Sequence, residues 1–74
     1  MSVAPNIPYD EFYLLTGIGY DHALDLIKDH KLSASFRNGE MFVNVASVRR
    51  YMDGLAIDHP HRQRWTVMAK RATL

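Results

Sequence analysis

Seventy-four residues make one small domain, or a domain with a tail, and leave room for only a modest core. An apolar content of 47% argues against wholesale disorder, and the lack of cysteine excludes disulfide staples and thiolate metal sites. The net charge of +1 hides an asymmetry: residues 1–29 set five acids against Lys28, whereas residues 30–74 set eight bases against Glu40, Asp53 and Asp58. Such a split fits a basic face turned to an anion, and equally a head-to-tail self-association.

No apolar run approaches the roughly 18 residues of a membrane span. The N-terminus MSVAPNIPYD carries no signal-peptide pattern, so a soluble, cytoplasmic protein without membrane contact is expected.

In chain order, Pro8 is placed to open a first helix over residues 8–16. Its φ is preset, and Asp10 and Glu11 then sit in the first turn, where the helix dipole favours acids. Phe12 and Leu15 supply the apolar stripe. After Gly17-Ile18-Gly19-Tyr20, helical spacing resumes with Ala23, Leu26 and Ile27 on one side and His22, Asp25, Lys28 and Asp29 on the other. The period then changes. Ser33 to Phe36 and Met41 to Val45 read as strands around Asn38-Gly39, a dipeptide suited to a type I′ turn in which both central residues need positive φ. Arg37 and Glu40 flank that turn as a cross-strand pair. Asn44 is a cap for a third helix that buries Val45, Val48 and Met52, turns Arg49 and Arg50 outward and stops at Gly54. From Leu55 onward no clean period exists; Arg64 to Met68 reads as a strand or as a helical turn.

Gly17-Ile18-Gly19 decides between two kinds of protein. A dinucleotide-binding loop needs a preceding strand and a third glycine where His22 stands, and this chain has neither. A helix-turn-helix needs what is present: Gly17 as the left-handed residue, Ile18 tucked into the corner, Gly19 allowing close backbone approach, and a small Ala23 between the helices. With the Asn-Gly hairpin following at once, the expected fold is α+β, a small winged helix-turn-helix over residues 1–54. It has two short helices, a β-hairpin wing and a third short helix, and residues 55–74 form a basic C-terminal tail. In that design the second helix enters the major groove of double-stranded DNA and the wing adds backbone or minor-groove contacts.

Residues 7–32, with Ile7-Pro8-Tyr9, Glu11-Phe12, Leu15, Gly17, Ile27 and Lys31-Leu32, together with the wing, FVNV and the basic Trp-containing C-terminus, resemble the phage Cox proteins over roughly residues 7–65. These are small winged-helix regulators similar to excisionases and to the DNA-binding modules of MerR-type regulators. The resemblance implies a regulator in a bacterial host that represses the lysogenic promoter and acts with integrase as a recombination directionality factor. It also implies cooperative binding to tandem direct repeats, DNA bending, and assembly into oligomers or filaments through the tail. The chain departs from the pattern in two respects. Tyr13 stands where a small residue is usual, which implies a wider helix crossing, and Asp21, Asp25 and Asp29 make the exposed face of the second helix acidic where relatives often carry arginine. The operator sequence is therefore not carried over.

The candidate DNA contacts are Gly19, Tyr20, His22, Asp25 and Lys28 on the second helix, and Arg37 and Asn38 at the wing tip. Tyr20 and His22 occupy the first turn, where such helices read bases, or else they form a solvated helix start. Lys28 suits a phosphate. Asp25 either accepts from cytosine N4 or simply solubilises the helix. Arg37 reaches a phosphate or a narrow minor groove, or only pairs with Glu40. Arg49 and Arg50 are phosphate clamps or a solvated face. Arg62, Arg64, Trp65, Val67 and Met68 are the candidate oligomerisation residues, with Trp65 read as either core or interface. His59-Pro60-His61 lacks a third ligand nearby and reads as a turn, so neither metal nor cofactor is expected. The chain shows no catalytic constellation, and an enzyme is not expected. The rivals are a plain repressor without a recombination role and a protein-interaction module on the same fold.

Overall fold

The computed structural model describes residues 5–72; the outermost ends of both sequence-derived segments, residues 1–4 and 73–74, lie outside it. The chain runs β1 (Asn6–Pro8), α1 (Tyr9–Thr16), α2 (Tyr20–Lys28), β2 (Ala34–Arg37), β3 (Glu40–Asn44), α3 (Val45–Asp53) and α4 (Pro60–Arg71). These four helices and a three-stranded antiparallel sheet, ordered β1-β3-β2, make a small α+β fold. No helix among the described residues is long and apolar enough to cross a membrane.

The first strand is not foreseen by the sequence. Pro8 does not open α1 but precedes it in extended conformation, with ψ 156°, because Ile7 and Pro8 pair with Val43 and Phe42 on β3. Proline is tolerated there because β1 is an edge strand, where a missing N–H need not break the ladder. Ile7 is thereby pinned in the core, and the Val45 N–H donates to the Pro5 carbonyl at 2.9 Å.

At the corner after α1, Gly17 has φ 75° and its N–H donates to the Tyr13 carbonyl at 2.7 Å, the left-handed stop that the sequence predicts. Ile18 is fully buried, as expected for a residue tucked between helices. Its N–H donates to Thr16 Oγ1, and the Thr16 hydroxyl donates in turn to the Phe12 carbonyl, so the buried threonine is satisfied on both sides. Gly19 differs from its expected role. A Cβ there would meet nothing within 4 Å, so no backbone presses on it; it is a plain N-cap of α2 without a capping side chain.

The hairpin forms as its sequence dictates. Asn38 and Gly39 have φ 50° and 79°, Arg37 faces Glu40, and Met41 and Val43 alternate inward. Asn44 then caps α3: its Oδ1 accepts from the Ser47 N–H at 2.9 Å, while Ser47 Oγ donates to the Asn44 carbonyl and accepts from the Ser33 N–H. Val45, Val48 and Met52 are buried.

The stretch after Leu55, without period in the sequence, carries the longest helix. The His59 ring accepts from the His61 N–H, and Pro60 occupies the first turn. Its core-facing residues are few, Trp65 and Ala69 with Met68 half-buried, while Arg62, Arg64, Lys70 and Arg71, with His61, Gln63 and Thr66, fill most of the remainder and blur the stripe. Trp65 is only 7% exposed and belongs to the same core cluster as Phe12, Leu15 and Ile18. Residues 60–71 therefore do not form a tail beside the domain; they complete its core.

Two outcomes follow in urea or thermal melts. Gly17→Ala should cost about 1–2 kcal/mol for its left-handed backbone, whereas Gly19→Ser should be neutral or gain a few tenths through a new cap. Trp65→Ala should cost about 3–5 kcal/mol as a core truncation, a loss that an exposed tail residue would not produce.

Candidate nucleic-acid interface

The helix α2 buries Ala23 and Leu26 and leaves Tyr20, Asp21, His22, Asp25, Lys28 and Asp29 exposed. Its outer side meets the hairpin: Asp21, Leu24, Asp25, Ile27 and Lys28 border one open groove with Phe36 of β2. The floor of that groove is apolar, because Phe36 stays 52% exposed and Leu24 and Ile27 are only partly covered. Its rim carries two carboxylates and one ammonium. Beyond it, Arg37 and Asn38 project exposed at the hairpin tip.

Tyr20 is held rather than free. Its ring meets Tyr9 edge to face at 5.2 Å, and Tyr9 also touches Phe12 and Tyr13, with ring centroids 5.9 Å and 6.2 Å away. The Tyr9 hydroxyl donates to the Ile18 carbonyl at 3.0 Å, so this aromatic group fixes the start of α2 to α1. Tyr13 lies half-exposed at the edge of this aromatic group. Burial, then the nearby Tyr13, Asp10 and Tyr20, push the Tyr9 phenol above its ordinary range.

A second cationic spot comes from residues distant in sequence. Lys31, just past α2, and Arg50 of α3 line one pocket with Tyr51, Gly54 and Leu55. The Tyr51 phenol is also raised by burial and stays neutral there. Arg49 instead faces α4, sharing a groove with Asp53, Arg62 and Lys70. From the sequence Lys31 enters only through the family resemblance, and nothing in the linear pattern pairs it with Arg50.

The five residues expected to mediate oligomerisation do not form one surface. Trp65 is buried and Met68 half-buried. Arg64 Nε donates to the Leu14 carbonyl at 2.9 Å, at the C-terminal end of α1. Arg62 donates to the Leu55 carbonyl at 2.7 Å and the Asp53 carbonyl at 3.4 Å, at the end of α3. Both arginines thus neutralise helix C-termini inside the chain. Of the five, only Val67 remains an open apolar contact, bordering a shallow hollow with the 78% exposed Ile57.

No family model matches this chain, and neither does any curated protein or solved structure. Among the described residues, no three His, Asp or Glu come together in a way that would hold a metal ion. What the α2 side offers is a helix start, a projecting hairpin and scattered cations around an apolar groove.

Tyr9→Phe tests the corner that aims α2. It should cost about 1 kcal/mol at neutral pH through the unpaired Ile18 carbonyl. A raised phenol favours the fold fully below its ordinary value of 10.0, and that stability is lost as pH rises through the folded value. Alkaline melts of the native chain should therefore fall off above about pH 10, and those of Tyr9→Phe should fall off less, with Tyr51 supplying the remainder.

Proposed function

We propose that this chain is a winged helix-turn-helix regulator that binds double-stranded DNA with α2 as the reading helix and the β2–β3 hairpin as the wing. The observation that carries the reading is that the outer face of α2 and the hairpin border one groove, with Arg37 and Asn38 at the projecting tip. Tyr20 and His22 supply base-edge or phosphate contacts from the first turn of α2, and Lys28 and Arg37 supply phosphate contacts. Lys31 and Arg50 add a further phosphate site. The resemblance to phage Cox proteins extends this to a double role, repression of the lysogenic promoter and direction of integrase toward excision. It does so by cooperative occupancy of tandem repeats and DNA bending in the cytoplasm of a bacterial host. Self-association on DNA offsets the weak phosphate attraction of a chain with a net charge of +1. Because Arg62, Arg64 and Trp65 are used within the fold, the surface left to it is that around Val67 and Ile57.

One observation favours a second reading, docking of a protein partner. The groove beside α2 has an apolar floor of Leu24, Ile27 and Phe36 and a mostly acidic rim, which also suits a basic amphipathic segment.

Gel shifts on the intergenic and attachment-site DNA of the source genome, at two salt concentrations, separate the two. The regulator should give stepwise, cooperative shifts whose affinity falls steeply with salt. Arg37→Ala and Lys31→Ala should each weaken binding on all sequences and reduce the salt slope by about 1. Tyr20→Ala should relax discrimination between sites by about 1–3 kcal/mol. Binding no better than to random DNA would remove the regulator and leave the protein partner.

A further inference from the structure

The fold joins two histidines that lie far apart in the sequence. His22, on the exposed side of α2, has its ring centroid 5.8 Å from that of His61 in the first turn of α4, the planes tilted by 51°. His59 lies on the other side of His61, at 5.3 Å. We infer that His22 and His61 form a binding site for a divalent transition ion, with Zn²⁺ the natural occupant.

The hydrogen bonds decide which rings have a lone pair to give. His61 Nδ1 sits 2.9 Å from the Thr16 carbonyl, which can only accept, so the ring proton is on Nδ1 and Nε2 is bare. A Nδ1–H held by a backbone carbonyl is the usual support of a metal-binding imidazole, since it fixes both the tautomer and the ring plane. His59 has the opposite arrangement. Its Nδ1 accepts from the His61 N–H at 3.1 Å, so the neutral ring carries its proton on Nε2 and has no donor pair left. The His22 ring makes no side-chain hydrogen bond among the described residues, so either of its nitrogens is open to the ion.

Spacing agrees with this assignment. With nitrogen–ion distances of about 2.0–2.1 Å, two imidazoles on one ion put their ring centroids roughly 5–6 Å apart. Neutral imidazole is a borderline donor that suits Zn²⁺, Ni²⁺ and Cu²⁺ rather than Mg²⁺ or Ca²⁺. Because no third His, Asp or Glu among the described residues joins them, water fills the remaining positions, and the site is open and of modest affinity. In the sequence, His59-Pro60-His61 presents the wrong pair; the working partner of His61 comes from α2. An ion held there ties α2 directly to α4, two elements otherwise joined through the core.

The test is a calorimetric titration of the full chain with Zn²⁺ alone at pH 7.5, repeated with His22→Ala, His59→Ala and His61→Ala. One ion should bind per chain in the micromolar range, and His22→Ala, at an exposed position that leaves folding intact, should weaken it about tenfold or more. His61→Ala should do the same, and His59→Ala should leave it unchanged. Affinity no better than millimolar, or affinity untouched by His22→Ala, would overturn the site; loss in His59→Ala as large as in His22→Ala would overturn the assignment of donors.

Discussion

The structure turns on the way α4 closes the end of α1. That helix has no basic residue in its last turn, so its terminal carbonyls carry uncompensated negative charge. The compensation comes from the other end of the chain, with the His61 ring on the Thr16 carbonyl and the Arg64 guanidinium on that of Leu14. Gly17 makes this possible in two ways. Its left-handed backbone turns the chain away, and its bare Cα lets Arg64 lie flat, since a Cβ would stand 3.3 Å from Arg64 Cδ. The same docking lays Trp65 and Ala69 onto the core.

That corner in turn positions everything on the α2 side. Tyr9 bonds to Ile18, Tyr20 leans on Tyr9, and Ala23 and Leu26 lie against the core. The outer face of α2 is thus oriented by aromatic packing at its start and by the sheet near its end. Charge plays little part in that orientation: Asp21, Asp25 and Asp29 stand exposed with Lys28, and nothing buried depends on them. Under the proposed DNA reading, attraction comes from cations placed around α2, at Arg37, Lys31 and Arg50, while the helix itself discriminates between bases.

Where a local rule acts, the sequence is transparent. Asn38-Gly39 demands positive φ and forms the turn; Asn44 caps α3; Gly17 ends α1; Val45, Val48 and Met52 fall inward at helical spacing. Where a partner lies far along the chain, it is opaque. β1 is three residues long and exists only because β3 is there to pair with it. The helix α4 buries too few apolar residues to show a stripe, and its arginines look like a solvated or oligomeric surface until the carbonyls they serve are known. Gly19 looks like a packing glycine by analogy with Gly17, yet the space around it is open. For the α2 side, sequence reasoning finds the helix start and the hairpin tip but misses Phe36 in the groove and the pairing of Lys31 with Arg50, which depends on how α3 lies.

The closure of α1 by α4 spans 45 residues at His61 and 50 at Arg64, whereas the hairpin and the cap of α3 are made between near neighbours. A chain emerging from the ribosome can therefore assemble β2, β3 and α3 early. The corner that aims α2 must wait for residues that lie 45 to 50 positions further along the chain. A product cut short before His61 would retain every residue of the α2 face while lacking the clamp that orients it.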